Sequence, residues 1–219
     1  MSFYSGVKAA LTGMIRTLFN VHFHGTENEP AKGGFLVVSN HISYLDVFVT
    51  VMALRHQIRF MAKKELFGIP VLGGIVKALG AFPVDRKGNA VAPLKQSIKL
   101  LEAGEVVGMY PQGHRFRKRK FDTTRDEIKG GAAMAVWHAK CPVLPVFIAT
   151  KNDRVALLRR IDVYIGKPVP FEAFGFEKGG NAEYAAASGV LFEQIAALAP
   201  EERRTAALPA SSDAPEDKG

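Results

Sequence analysis

A histidine and an aspartate five positions apart, His41 and Asp46, are residue types that can carry out catalysis together. In one continuous helix, five residues turn the chain through about 500°, which would leave the two side chains about 140° apart. If His41 instead lies in a turn and Ser43 caps a helix that starts at Tyr44, Asp46 falls in the first helical turn. Its carboxylate then reaches back toward the imidazole. The spacing therefore favours a turn between a strand and a helix.

Such a pair would act as a general base and its orienting partner. A neutral imidazole accepts a proton from a hydroxyl, while a carboxylate on the other ring nitrogen fixes the tautomer and stabilises the imidazolium. The hydroxyl oxygen then becomes the nucleophile directly. These two residues alone also allow a structural interpretation, in which Asp46 is a helix-capping acid and His41 is a hydrogen-bonded turn residue.

The elements around this pair alternate between short strands and helices. Strands are predicted at 21–24, 35–39, 58–62, 80–84, 106–110, 143–149 and 161–165. Helices are predicted at 45–55, 69–79, 91–103, 128–140 and near 182–198. This alternation is typical of an α/β domain with a largely parallel central sheet of about seven strands flanked by helices. Ligands of such sheets gather at the carboxyl ends of the strands.

The chain is predicted to have three parts. Residues 1–20 form an amphipathic helix, because apolar residues recur three and four positions apart within it. Its apolar stripe either packs on the core or lies in a membrane interface. Residues 21–199 form the α/β domain. Residues 200–219 form a disordered tail, because large apolar residues are almost absent there and burial cannot offset the entropy of ordering.

Composition narrows the partners and the compartment. The net charge is +8, with a pI near 9.6, which suits an anionic bilayer, a phosphorylated substrate or nucleic acid. A single cysteine, Cys141, excludes an internal disulfide and favours a reducing cytosolic setting. The chain lacks a run of about 18 to 20 uninterrupted apolar residues, and its N-terminus lacks the pattern of a secretory signal. We therefore expect it to lie on a membrane rather than to span one.

The segment NHISYLD, residues 40–46, resembles the first sequence block of the glycerophospholipid acyltransferase family, in which asparagine and histidine precede a serine and an aspartate. Residues 60–86 are similar to the stretch that contains the second block. YPQGHR, residues 110–115, resembles the third block. Residues 129–133 and 141–148 are similar to the region around the fourth, proline-containing block. These blocks occur in the family's order.

The resemblance implies an activity and roles for the two residues. It implies transfer of a fatty acyl group from acyl-CoA or acyl-ACP to the sn-2 hydroxyl of 1-acylglycerol 3-phosphate, giving phosphatidate. His41 would be the base and Asp46 its partner. It also implies work at an anionic membrane surface, as a peripheral or monotopic protein on the cytoplasmic face of the cell membrane. No cofactor is indicated, and no metal, since a zinc site needs a third or fourth protein ligand with supporting spacing.

The second and third blocks imply a phosphate site. Arg86 and Arg115 would hold the phosphate of the lysophospholipid through guanidinium forks. Gly113 would allow the phosphate to approach the backbone closely, and Gln112 would contact the acceptor substrate. Gln112 departs from the family's usual glutamate and His114 from its usual threonine, which leaves the identity of the acceptor open.

Two further segments have several interpretations. The basic run at residues 115–120 is assigned to phosphates or anionic lipid headgroups rather than to nucleic acid, with a solvated loop as the default interpretation of every residue in it except Arg115. The apolar segment 66–79 would line an acyl-chain groove, enter the membrane interface or pack in the core.

Glycerol 3-phosphate, another lysophospholipid or a lyso-ornithine lipid remain alternative acceptors. A non-catalytic membrane-binding module and a thioesterase remain alternative functions. The sequence leaves open the acyl-chain length, the donor carrier and the oligomeric state.

Overall fold

A computed structural model of the chain describes residues 3–85, 91–112, 130–151 and 155–201. Its strands are β1 Asn20–His24, β2 Leu36–Ser39, β3 Ile58–Lys63, β4 Phe82–Val84, β5 Val106–Met109, β6 Val143–Thr150 and β7 Arg160–Ile165. They form one sheet in the order β1-β7-β6-β2-β5-β3-β4. Every neighbouring pair is parallel except β6 and β7. The predicted sheet is confirmed.

The helices are α1 Phe3–Leu18, α2 Asp46–Ala53, α3 Leu72–Ala78, α4 Val91–Glu102, α5 Gly131–Ala139 and α6 Asn181–Ala197. The first three pack on one face of the sheet and the last three on the other. Strands β2, β5 and β6 are buried along their whole length between these layers. This explains their continuous apolar runs, since a parallel strand covered on both faces has no solvent side.

The strand directions define two edges of the sheet. Strands β2 to β6 all end at one edge, which we call the carboxyl edge. Strand β7 runs opposite to β6 and lies parallel to β1, so β1 and β7 begin at that edge. Helix α1 leads into β1 and therefore ends at the carboxyl edge. The segments that follow β2, β3, β4, β5 and β6 all meet there.

The predicted N-terminal helix is present and packs against the core through one side. Ile15 is buried, whereas Met14 and Leu18 are exposed. Part of the apolar stripe is therefore core and part is open to solvent. Among the described residues, none of the helices is long and apolar enough to cross a bilayer.

Three helix starts differ from the prediction; one is that of α5, which begins at Gly131 rather than at residue 128. Helix α2 begins at Asp46. Helix α3 begins at Leu72 rather than residue 69, because Lys64–Gly68 forms a 3₁₀ helix and Val71 has a φ of 66°, outside the helical region. The predicted tail lies outside the described residues from position 202 onward, so the three-part division stays a prediction.

Glu29 ties the segment after β1 to the end of α2. Its buried carboxylate accepts hydrogen bonds from the backbone N–H groups of Arg55 and His56, at 2.7 and 2.9 Å. It also accepts from Arg55 Nε at 3.1 Å and is paired with His56 Nδ1 at 2.7 Å. Burial raises the pKa of Glu29, but these donors outweigh burial and hold the pKa below its usual 4.5. Glu29 thus anchors α2 at the end opposite to Asp46.

Candidate active site

His41 follows β2 at the carboxyl edge, and the residue before it fixes where the strand ends. The side chain of Asn40 is fully buried. Its Nδ2 donates to the carbonyl of Ile148 at 2.9 Å, and the Ile148 N–H donates to its Oδ1 at 2.7 Å. The amide thereby continues the strand pairing between β2 and β6 by one step. The turn that carries His41 therefore starts from a fixed point.

The carboxylate of Asp46 orients His41 and closes the turn with one oxygen. Asp46 Oδ2 lies 2.8 Å from His41 Nδ1 and accepts hydrogen bonds from the N–H groups of Ile42 at 2.6 Å and Ser43 at 2.8 Å. The predicted reach from helix start to imidazole is present, although α2 starts at Asp46 rather than at Tyr44. The Ser43 hydroxyl accepts from the Leu45 N–H at 3.2 Å instead of capping α2. Asp46 therefore stabilises the turn and orients the imidazole at the same time.

This bond determines which ring nitrogen of His41 is available. Because Nδ1 faces a carboxylate, a neutral imidazole carries its proton on Nδ1 and leaves the Nε2 lone pair free. The side chain of His41 is 14% exposed, whereas that of Asp46 is 1% exposed. The arrangement is a partly accessible base supported by a buried carboxylate.

Burial dominates the electrostatics of Asp46. It raises the pKa of this carboxyl, while His41 and the N–H groups of Ser43 and Ile42 lower it; the net direction is upward. Its second oxygen, Oδ1, has no hydrogen-bond partner in the described part of the chain. Thr50 Oγ1 donates to the Asp46 carbonyl at 2.8 Å and secures the first turn of α2. Because Asp46 is buried, its carboxylate interacts with a charge on the imidazole in a medium of low dielectric constant.

Tyr110, which follows β5, packs flat against the imidazole. The two ring centroids are 4.0 Å apart and the planes are 15° apart. Phe60 also stacks on Tyr110, with 5.6 Å between the ring centroids and 16° between the planes. Burial, followed by the charge of Asp46, raises the pKa of Tyr110 well above 10, although a hydrogen bond with Thr50 lowers it. The phenol is thus neutral, and its ring serves as a wall for His41.

The ring stack depends on a glycine in the neighbouring strand. Gly108 in β5 is the register partner of Phe60 in β3. A Cβ at Gly108 would lie 2.1 Å from the Phe60 ring, so the ring occupies the space that any other residue would fill. The sequence analysis placed Tyr110 at the end of a strand and in the third block, but did not predict its contact with His41. Convergence of parallel-strand ends is the signal that indicates it.

Only one of the four predicted phosphate ligands lies in the described residues. Gln112 is buried at the carboxyl edge, two positions after Tyr110. Neither Oε1 nor Nε2 has a hydrogen-bond partner within the described ranges, and an unpaired buried amide costs about 1–3 kcal/mol. Arg86, Gly113 and Arg115 lie outside the described residues. Their convergence on a phosphate stays a prediction.

An apolar groove lies between α1 and α3. It has a volume of about 540 Å³ and is lined by Val7, Val71, Gly74, Ile75, Lys77 and Ala78. Four of these lining residues lie in α3, whereas Leu79, at the end of the segment 66–79, is buried in the core. The segment 66–79 is thus part groove and part core. In the part of the chain that the structure describes, no three His, Cys, Asp or Glu side chains lie close enough to hold a metal.

Comparison with known proteins identifies the class of this site. Residues 20–149 match the family described as Acyltransferase, and the chain therefore belongs to this acyltransferase family. The match includes the turn of His41, the start of α2 and strands β1 to β5.

Two curated relatives are 1-acyl-sn-glycerol-3-phosphate acyltransferases. The protein from Bacillus subtilis (strain 168) is 35% identical over 153 residues, which cover 68% of this chain and 73% of the relative. The protein from Streptococcus pneumoniae (strain ATCC BAA-255 / R6) is 30% identical over 155 residues, covering 68% of this chain and 56% of the relative.

A solved structure has the same fold. It is the crystal structure of the 1-acyl-sn-glycerophosphate (LPA) acyltransferase, PlsC, from Thermotoga maritima, with a TM-score of 0.63 and 24% sequence identity. The similarity covers 90% of this chain and 78% of that one. It confirms the predicted α/β architecture.

Proposed function

We propose that this chain transfers a fatty acyl group from acyl-CoA or acyl-ACP to the sn-2 hydroxyl of 1-acylglycerol 3-phosphate, giving phosphatidate for phospholipid biosynthesis. The observation that carries the proposal is the 2.8 Å contact between His41 Nδ1 and Asp46 Oδ2 at the carboxyl edge of the sheet. Family membership and the activities named for the two bacterial relatives support the same reaction.

In this mechanism His41 Nε2 removes the proton from the sn-2 hydroxyl as the oxygen attacks the carbonyl carbon of the thioester. The new C–O bond forms and the C–S bond breaks. The imidazolium returns the proton to the departing thiolate, so the products are phosphatidate and the free thiol carrier. Asp46 stabilises the imidazolium between the two proton transfers. Tyr110 limits rotation of the ring.

We assign the acceptor phosphate to Arg86, Arg115, Gly113 and Gln112. The two guanidinium groups supply charge, and the glycine allows the phosphate to approach the backbone. Among the described residues nothing pairs with the donor or the acceptor of the buried Gln112 amide, which supports its place in this site, because a phosphate oxygen would satisfy its Nε2.

We assign the protein to the cytoplasmic face of the cell membrane, as a peripheral or monotopic protein on an anionic surface. Lysophospholipids reside in bilayers, so the base must face one. Exposed Met14 and Leu18 on α1 and the net charge of +8 support this placement.

A second candidate function keeps the chemistry and changes the acceptor. Gln112 is a neutral amide at a buried position where the resemblance leads us to expect a carboxylate. This difference favours testing glycerol 3-phosphate, other lysophospholipids and lyso-ornithine lipid beside 1-acylglycerol 3-phosphate.

The test is thiol release from acyl-CoA and acyl-ACP by the purified protein in detergent, with each acceptor and with none, followed by identification of the lipid product. Release that requires 1-acylglycerol 3-phosphate and yields phosphatidate would support the proposal. Release with another acceptor would change the substrate. Release without acceptor would indicate a thioesterase, and no release would favour a membrane-binding module.

A pair of variants links the reaction to the base. His41→Gln should abolish release, whereas His138→Gln should leave it unchanged. His138 is exposed in the last turn of α5, near the opposite edge of the sheet. Normal turnover in His41→Gln would contradict the assignment.

A further inference from the structure

The large apolar side chains that are exposed in the described part of the chain share one location. They are Met14, Leu18, Tyr44, Ile69, Val71, Val91, Leu157 and Leu158. Each lies near the end of α1 or in a segment that follows β2, β3, β4 or β6, which places all eight toward the carboxyl edge, where His41 lies. An apolar surface on one side of a charged protein marks an interaction site.

Leu157 and Leu158 form the most exposed pair in this set. They lie in the connection from β6 to β7 and are 64% and 79% exposed. The Leu158 N–H donates to the Leu18 carbonyl at 2.9 Å, so the pair lies against the end of α1. Met14 precedes Leu18 by one helical turn on the same side of α1. These four exposed apolar side chains therefore lie together at the end of α1.

The backbone at Leu158 holds its side chain outward at a conformational cost. Leu158 has a φ of 60°, a region that leucine rarely adopts. Val71, 80% exposed at the same edge, has a φ of 66°. The two most exposed large apolar side chains are thus both held in positive-φ backbone. Conformational strain that places an apolar group in solvent indicates function rather than folding.

The same connection carries charge that complements an anionic lipid surface. Lys151 and Arg159, which flank the leucine pair, are both exposed. Apolar side chains between cations match a bilayer, in which acyl chains lie beneath phosphate headgroups. The turn of His41 is pinned to Ile148 through Asn40, and β6 continues to Thr150 beyond it. The connection therefore begins past the level of Asn40, at the same edge of the sheet as His41.

We propose that Leu157 and Leu158 insert into an anionic phospholipid bilayer beside the end of α1, as a second membrane contact that directs His41 toward the lipid. This proposal rests on the proposed function, because it takes the acceptor to be a membrane lipid. The occupants that it excludes are a second copy of the chain and the chain's own segments 113–129 and 202–219.

The test uses the single native cysteine to advantage. Cys141 is 3% exposed, and burial raises the pKa of its thiol to about 11, so a thiol reagent will select an introduced cysteine. Leu157→Cys carries an environment-sensitive fluorophore. Ala31→Cys is the matched control, because Ala31 is exposed before β2 at the opposite edge. Vesicles of phosphatidylcholine with about one quarter phosphatidylglycerol provide the surface.

We expect blue-shifted, brighter emission at position 157 when vesicles are added, no change at position 31, and co-sedimentation of both proteins with the vesicles. Unchanged emission at 157 in sedimenting protein would overturn the proposal. So would a shift at 157 without vesicles that grows with protein concentration, which indicates a second copy. A concentration-independent apolar signal at 157 without vesicles would indicate cover by the chain itself and would also overturn it.

A second variant separates this proposal from the proposed function. In Leu157→Ser/Leu158→Asn the asparagine tolerates the positive φ, so the fold is retained. Vesicle binding should weaken by about tenfold or more, and turnover of vesicle-borne lysophospholipid should fall with it. Turnover in detergent should remain. Undiminished vesicle binding would overturn the insertion, whereas absence of acyl transfer by the unaltered chain in detergent would overturn the proposed function.

Discussion

The rings of His41 and Tyr110 lie face to face, with 4.0 Å between their centroids and 15° between their planes. Asp46 fixes the same imidazole through its Nδ1. A hydrogen bond in the ring plane and a flat contact against the ring face restrict different motions, so together they define one orientation for Nε2. Substitution of Asp46 or of Tyr110 removes one of these restraints and leaves the other in place.

Asp46→Asn should lower kcat about a hundredfold to ten-thousandfold and change KM little. The asparagine lacks the charge that stabilises the imidazolium, and its amide no longer dictates the tautomer. Steady-state kinetics in detergent, with both substrates varied, measures the split. Because Asp46 Oδ2 also accepts the Ile42 and Ser43 N–H groups, thermal unfolding must show that the variant is folded. A folded variant with normal kcat would refute the role.

Tyr110→Phe should retain most of the activity, because it keeps the ring and loses only a hydroxyl that stays neutral in this site. Tyr110→Leu should lower kcat about twofold to thirteenfold, the range expected for losing an aromatic stacking energy of about 0.5–1.5 kcal/mol. Kinetics of the two variants, compared at equal folded fraction, provides the measurement. Equal activity of the leucine variant would show that the stack does not position His41.

Gly108→Ala should destabilise the protein by about 1–3 kcal/mol, since the added methyl group would meet the Phe60 ring in a filled core. Activity should fall as well, because a displaced Phe60 no longer supports Tyr110. Gly189→Ala in α6 is the matched control. Its Cβ meets no atom within 4 Å, and alanine favours the helix by up to about 1 kcal/mol. Urea unfolding measures both changes; a neutral Gly108→Ala would contradict the packing.

Glu29→Gln should lower the free energy of unfolding at neutral pH by about 1–3 kcal/mol. The pKa of Glu29 lies below its usual 4.5 in the folded state, so its stabilisation is complete above pH 4.5. It is lost as the pH falls through the folded pKa, because the unfolded chain takes up the proton first. The unaltered chain should therefore lose stability more steeply below pH 4.5 than the variant.

Urea unfolding across this pH range measures the two curves, which should converge in acid. Glu27→Gln is the control, as Glu27 is exposed in the same segment. Parallel curves for the unaltered chain and Glu29→Gln would show that Glu29 does not titrate as inferred.

The sequence was sufficient for the strands of the sheet and for the contact between His41 and Asp46. Seven apolar segments, separated by segments with helical periodicity, predicted the sheet. A strand that is buried on both faces has apolar residues at successive positions, and such a run is visible in the sequence alone. Even the reach from Asp46 to His41 followed from local geometry, since both residues belong to one turn. Helix α3 was predicted to begin too early in the chain, because nothing in the sequence indicates that Val71 adopts a positive φ.

Tertiary structure decided what lies around the pair. Tyr110 meets His41, and Phe60 meets Tyr110, only because three strands end or pair at neighbouring positions in the sheet. The order of those strands depends on packing between distant segments, which periodicity does not encode. The apolar carboxyl edge arises in the same way. Leu18 and Leu158 are 140 positions apart in sequence, and only the antiparallel return of β7 beside β6, with β1 next to it, brings them together.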